Sequence, residues 1–183
     1  GVRFEMLHPG PGEIERPFGG AGAGARANDR SCVLKVTAEG FEGRLDTWPD
    51  SQGPPQVLLT GDIEAMAEAV LVSSAGEALR SPIVFAPHHG SRTSSTPPFV
   101  EAVDARWVVV QAAYRSRFGH PAPAVVQRYR RQGGEVVETP TCGAWSWRPG
   151  GEGPACERAR SRRHWQHPSG HELPPGRMAQ VRE

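Results

Sequence analysis

Polar residues that can bind a metal ion or move a proton stand just beyond apolar runs of this chain. Asp62 follows Val57-Leu58-Leu59-Thr60, His88 and His89 follow Ile83-Val84-Phe85-Ala86, and His120 lies a few residues past Trp107–Gln111. Where β-strands end together at one rim of a sheet, they hold loop side chains in fixed register, and layered α/β proteins build sites there. A carboxylate and two or three imidazoles at such a rim suit zinc, manganese or iron. The carboxylate can bridge two metal ions ~3.5–4 Å apart, which jointly activate a water and steady an in-line displacement. Each residue also has a purely structural reading. Asp62 can cap the helix that follows, His88-His89 can form a hydrogen-bonded turn, and His120 between Gly119 and Pro121 can be a turn residue. Ser91, Thr93, Ser94, Ser95 and Thr96 can be caps and surface hydroxyls, and His164, His167 and His171 read as solvated. No Gly-x-Ser-x-Gly elbow, phosphate-binding Gly-rich loop or Cys-x-x-Cys pair competes for the role.

The elements that must position these residues alternate short strands with helices. Apolar alternation predicts strands at Arg3–Leu7 and Ser31–Val36, with a Gly/Ala-rich loop between them ending near Ala27. Residues 39–55 hold six Gly or Pro and read as a hairpin or loop. After the strand Val57–Thr60, residues Ile63, Met66, Ala67, Val70 and Leu71 recur at helical spacing, with Glu64 and Glu68 off that face. A buried-type strand is expected at Ile83–Ala86 and another at Arg106–Gln111. Thr96-Pro97-Pro98 opens a short helix, and Pro123–Gln132 forms a longer one stopped by Gly133-Gly134. Two last strands are expected at Glu135–Thr139 and Ala144–Trp147. From Pro149 onward Gly, Pro, Arg and His dominate, and little order is expected. The pattern predicts an α/β layered domain over residues 1–148 and a tail over 149–183.

Composition narrows the classes. With 183 residues the chain has room for one full domain, and 22 Gly plus 18 Pro exclude a coiled coil or helical bundle. No run approaches the ~20 apolar residues that cross a bilayer, and the first residues lack a basic-then-apolar signal pattern, so the sequence reads as soluble. Net charge is +1, but its distribution is uneven. Residues 1–113 carry 9 basic against 14 acidic residues, and residues 114–183 carry 12 against 6. A basic final third can meet a phosphate backbone or be a solvated tail. Since 20 of the 21 basic residues are Arg, the bias can also come from genome composition. Cys32, Cys142 and Cys156 read as free thiols, with a Cys142–Cys156 pairing the one conceivable bridge.

Several motifs together carry a resemblance. Leu58-Leu59-Thr60-Gly61-Asp62, Pro87-His88-His89-Gly90-Ser91-Arg92-Thr93-Ser94-Ser95 and Arg117-Phe118-Gly119-His120-Pro121 occur in order at spacings of about 25 to 30 residues. With Asn28-Asp29-Arg30-Ser31 before a strand, residues 1 to 148 resemble the metallo-β-lactamase-fold domain of ComEC-type DNA-internalisation competence proteins. That family's domain accompanies a multi-pass membrane channel importing single-stranded DNA. The resemblance implies metal-dependent hydrolysis of the strand that is not imported. It also implies two divalent ions, zinc or manganese, in the complete domain, and no small-molecule organic cofactor. By the same resemblance Asp62 is a bridging metal ligand, His89 the preferred imidazole ligand with His88 as alternative, and His120 a catalytic rim residue. Asn28, Ser31, Ser91 and Arg117 take phosphate-binding or ligand-orienting places.

One departure matters. The superfamily draws much of its metal site from an early His-x-(His/Asp/Ser)-x-Asp-His motif, which this sequence lacks, since His8 sits in a Leu-His-Pro context. The chain therefore resembles the C-terminal half of an αββα sandwich and is expected to be inactive alone, leaving an open sheet edge and an uncovered apolar face. Its expected partners are DNA, the upstream half of the domain and the channel, on the periplasmic side of a bacterial inner membrane. The alternative is a non-catalytic single-stranded nucleic-acid-binding module using Arg115, Arg117, Arg128, Arg130 and Arg131 with Phe118 and Tyr129.

Overall fold

The computed structural model describes residues 1–10, 27–40, 54–148 and 153–161. Six strands form one sheet in sequence order: β1 (Val2–His8), β2 (Val33–Ala38), β3 (Gln56–Leu59), β4 (Ile83–Phe85), β5 (Trp107–Val110) and β6 (Glu135–Glu138). The β1–β2 and β2–β3 pairs are antiparallel, and β3 through β6 are parallel. Parallel neighbours need crossovers, and these are α1 (Ala65–Ala75), α2 (Pro97–Val103) and α3 (Pro123–Arg131). This mixed α/β layer is compatible with the predicted half of an αββα sandwich.

Pleating splits each strand between two faces. Val33, Leu58, Val84, Val108 and Val110 point into the main core, where Leu71, Phe99, Val103 and Val125 of the helices meet them. Each such fully buried side chain contributes ~1.5–3 kcal/mol. The opposite face is also apolar. Ile83 and Trp107 on it are covered by Trp145 and Trp147, while Val2, Phe4 and Met6 of edge strand β1 are exposed.

The register of α1 differs from its hydrophobic spacing. Ile63, Ala67 and Leu71 face inward as expected, but Met66 and Val70 are exposed and Glu64 and Glu68 are buried. Donors on distant loops explain the exchange. The Glu68 carboxylate accepts the backbone N–H of Ser95 and, at 2.7 Å, that of Thr96. Glu64 is the N-cap residue of α1, so Asp62 is not its cap.

Residues 153–161, assigned to the tail by composition, form β8 (Ala155–Cys156) and a short helix (Glu157–Arg160). β8 pairs antiparallel with β7 (Trp145–Ser146), setting Trp145 opposite Cys156. That pairing brings Cys156 to the short helix Thr139–Cys142, and a Cys142–Cys156 disulfide closes there with Cα atoms 4.7 Å apart. The expectation of three free thiols is thus corrected: Cys32 alone is free, and exposed. The low order expected for residues 149–152 and 162–183 falls outside the described residues.

Candidate functional site

Strands β1, β3, β4 and β5 run the same way, so their C-terminal ends share one rim, joined by the start of β2. From it project His8, Asp62, His88 and His89, with Asn28 and Ser31 just before β2 and His120 in the loop after β5.

The His88-His89-Gly90 turn is left-handed throughout, with φ of 47°, 55° and 74°. Two successive non-glycine residues in that region cost free energy and persist only where neighbours hold them. The holding bonds are visible. His88 N–H donates to Gly61 O at 3.0 Å, joining this turn to the Gly-Asp turn, and Ala122 N–H donates to Gly90 O at 2.9 Å. Gly90 has no room for a side chain, since a Cβ there falls 2.9 Å from Pro121 Cβ. Likewise a Cβ on Gly61 falls 2.9 Å from Ser31 Cβ, so Ser31 packs directly on the Gly-Asp turn.

Two carboxylate–imidazole pairs result. His89 Nε2 lies 3.5 Å from Asp62 Oδ1, and His88 Nδ1 lies 3.2 Å from Glu64 Oε1. The His88 approach is a close contact whose angle is not that of a hydrogen bond. Asn28 Nδ2 donates to the same Glu64 oxygen at 3.3 Å. His120 completes the imidazole group, its ring centroid 5.8 Å from that of His88. Burial first, then the proximity of His88 and His89, lowers the His120 pKa from its ordinary value.

The His89 ring carries the chemical information. Its Nδ1 lies 2.7 Å from Gln111 O, which only accepts, so Nδ1 bears the proton. In the neutral ring the Nε2 lone pair then faces Asp62 Oδ1. Two acceptors so placed repel each other unless a proton or a cation stands between them. A backbone carbonyl fixing one imidazole nitrogen while the other is offered is the usual support of a metal-binding histidine. Asp29 Oδ1 and His120 Nδ1 are buried at the rim without a hydrogen-bond partner among the described residues. No three of the described His, Cys, Asp and Glu side chains converge as a metal-holding group. Asp62 and His89 therefore fit two donors of a cation site.

The other expected residues take varied places. The Ser91 hydroxyl is 3.0 Å from that of Thr93 and accepts the Thr93 N–H at 3.3 Å, so it braces its own loop. Arg117 is exposed with its guanidinium 4.7 Å from the Phe118 ring centre. Tyr129 is buried, its hydroxyl donating to Ser95 Oγ at 3.2 Å, and Arg128 donates to Ser95 O. Tyr129 is therefore no surface contact for a strand, which corrects that part of the nucleic-acid reading, while Arg128 is half-buried. Two rim residues escaped sequence reasoning. Glu64 looks like a solvated helix position, although it stands two residues past Asp62. His8 follows an apolar strand as His88 does; it is buried, with Nε2 2.6 Å from Asp29 O, and ties β1 to the turn at Ala27–Arg30.

Comparison with known proteins agrees with the motif register. Competence protein ComA of Neisseria gonorrhoeae is 32% identical over 167 residues, 91% of this chain and 21% of that protein. YcaI of Escherichia coli K12 is 32% identical over 119 residues, covering 65% of this chain and 14% of the relative. ComE operon protein 3 of Bacillus subtilis 168 is 26% identical over 104 residues, covering 57% and 13%. No protein-family model and no solved structure matches. These similarities support a ComEC-type competence-protein reading of the chain. It spans about a fifth of the gonococcal relative's length, and less of the other two.

Proposed function

We propose that this rim is part of a metal-dependent phosphodiesterase acting during DNA uptake on the strand that is not imported. One observation carries the reading: Asp62 Oδ1 and His89 Nε2 face each other at 3.5 Å while Gln111 O holds the far side of the ring. Asp62 and His89 would hold a divalent cation, zinc or manganese, with His88 and Glu64 supporting its position or taking part in a second site. When bound, such ions activate water and stabilise charge developing on a phosphate. Asn28, Ser31 and Arg117 flank the rim where a phosphate would lie.

Two donors do not close a site that needs four or more. The remaining ligands would come from the upstream half of the domain. The exposed apolar face of β1, at Val2, Phe4 and Met6, supports a second sheet packing there. This chain alone is then inactive. The disulfide Cys142–Cys156 supports a place outside the cytosol, on the periplasmic side of the inner membrane beside the channel. Among the described residues no helix is long and apolar enough to cross a membrane.

The test is cleavage of single-stranded DNA by the complete domain, including the region preceding this chain, with Mn²⁺ or Zn²⁺. Cleavage should vanish with EDTA and fall at least ~100-fold in Asp62→Ala and His89→Ala. An intact, folded domain that cuts no DNA with either metal would end the reading. The exposed Arg–aromatic loop at Tyr114–Phe118 favours a second reading, a non-catalytic strand-binding module. Binding that survives EDTA in a domain that never cleaves would select it.

A further inference from the structure

Between β5 and α3 the chain makes a loop whose surface differs from the rest of the rim. Tyr114 and Phe118 are large, aromatic and exposed, at 51% and 68%. Each lies against an arginine from the same loop: the Arg115 guanidinium is 5.4 Å from the Tyr114 ring centre, and that of Arg117 is 4.7 Å from Phe118. Residues 111–121 hold no acidic residue. Phe118 also stacks on His120, with centroids 5.9 Å apart and planes inclined 23°. His120 in turn neighbours His88. An aromatic step thus leads from solvent directly to the imidazole cluster.

Exposed rings have a hydration cost, and soluble chains expose few large aromatics without use. Against a protein partner the cluster would be expected to include aliphatic neighbours. Here the residues between the two rings are two guanidiniums and a hydroxyl, Arg115, Ser116 and Arg117, and the only aliphatic neighbours in sequence are the small Ala112 and Ala113. Flat rings alternating with cations match one chemistry well: unpaired bases, which stack on rings, joined by phosphates, which the arginines pair. Duplex DNA presents no free base faces along its length, so the step discriminates by strandedness.

We infer that Tyr114 and Phe118 form a base-stacking step, with Arg115 and Arg117 on the phosphates, that seats an unpaired strand beside the His88–His89–His120 cluster. The inference rests on the proposed DNA-facing role of the rim but needs no bound metal and no cleavage. The two aromatics are specificity-determining residues; neither touches a reacting atom.

The experiment uses the whole chain in EDTA, with fluorescence anisotropy of labelled strands about twelve nucleotides long. One strand is oligo(dT), the second has the same phosphates without bases, and the third is duplex DNA. Wild type should bind oligo(dT) at least ~10-fold more tightly than the abasic strand, and more tightly than duplex. The double variant Tyr114→Ala/Phe118→Ala should bind oligo(dT) and abasic strands alike, while Phe118→Trp keeps the preference. Both side chains are exposed, so the variants retain the fold, checked by circular dichroism. Equal binding of the two strands by wild type, a preference that survives the double variant, or no binding at all would each overturn the inference. Absence of Mn²⁺-dependent cleavage in the complete domain defeats the hydrolase reading and leaves this readout unchanged.

Discussion

Removing the carboxylate of Glu68 should loosen the loop that carries His88 and His89, although Glu68 belongs to neither pair. Its side chain is fully buried, and its two oxygens accept the N–H groups of Ser95 and Thr96. Ser95, at φ 56°, is also held by Arg128 on its carbonyl and Tyr129 on its hydroxyl. Glu68→Ala leaves two backbone donors unpaired at ~1–3 kcal/mol each. Relief of the carboxylate's own desolvation offsets part of this, for a net loss of ~1–4 kcal/mol. In a domain of this size that is a fall of ~2–16 °C in melting temperature. Glu68→Gln keeps one acceptor and sets an amide N–H against the other donor, so its loss should be ~2–3 kcal/mol. The pH dependence has a definite sign. Burial raises the Glu68 pKa above its ordinary 4.5, against the pull of its N–H donors and Arg128. The folded state then binds the proton more tightly than the unfolded state does. The Glu68 contribution is fully present below about pH 4.5 and declines as pH rises through the folded value. Denaturant melts from pH 4 to 7 should show wild type losing stability relative to Glu68→Gln. A Glu68→Ala protein melting within about 1 °C of wild type would refute the clamp.

Two other perturbations have definite outcomes. Gly90→Ala forces a side chain into a φ of 74° and within 2.9 Å of Pro121 Cβ. It should cost ~1–3 kcal/mol in thermal unfolding, and an unshifted melt would show that the turn has slack. Reducing Cys142–Cys156, which are 14 residues apart, should cost ~3 kcal/mol and expose Trp145 and Trp147, read as a red shift in tryptophan emission. Emission that does not move on reduction would mean that packing on Ile83 and Trp107 holds the tryptophans by itself.

Much of the fold was legible because strand and helix periodicities are local. The strands of the main sheet were expected within a residue or two of their positions, and the Asp62–His89 approach followed from both residues ending parallel strands. What escaped is non-local. Glu68 reads as a solvated helix position until Ser95, 27 residues on, supplies its donor. Its burial then rotates α1 and sends Met66 and Val70 outward, against their hydrophobicity. The disulfide escaped for a related reason: Cys142 and Cys156 meet only once β7 and β8 pair. His8 stands in a Leu-His-Pro context unlike the expected motif, yet the strand-end rule that points to His88 applies to it equally.

The buried clamp and the open pair answer different requirements of one rim. A cation site needs donors whose positions do not relax when the ion arrives, because reorganisation would be taken from its affinity. Here the His88–His89 turn is fixed from one side by Gly61 O, from the other through Gly90 and Ala122, and from beneath by the Glu68–Ser95 bonds. Yet Asp62 and His89 themselves remain 44% and 52% exposed, open on the solvent side. A site finished within this chain would enclose them with further donors. Rigid placement combined with an open outer side is the arrangement expected where the remaining ligands arrive on another segment. The apolar surface of β1 lies on the same sheet. On the proposed reading, packing that segment against Val2, Phe4 and Met6 and completing a site at Asp62 and His89 would be two consequences of one docking event.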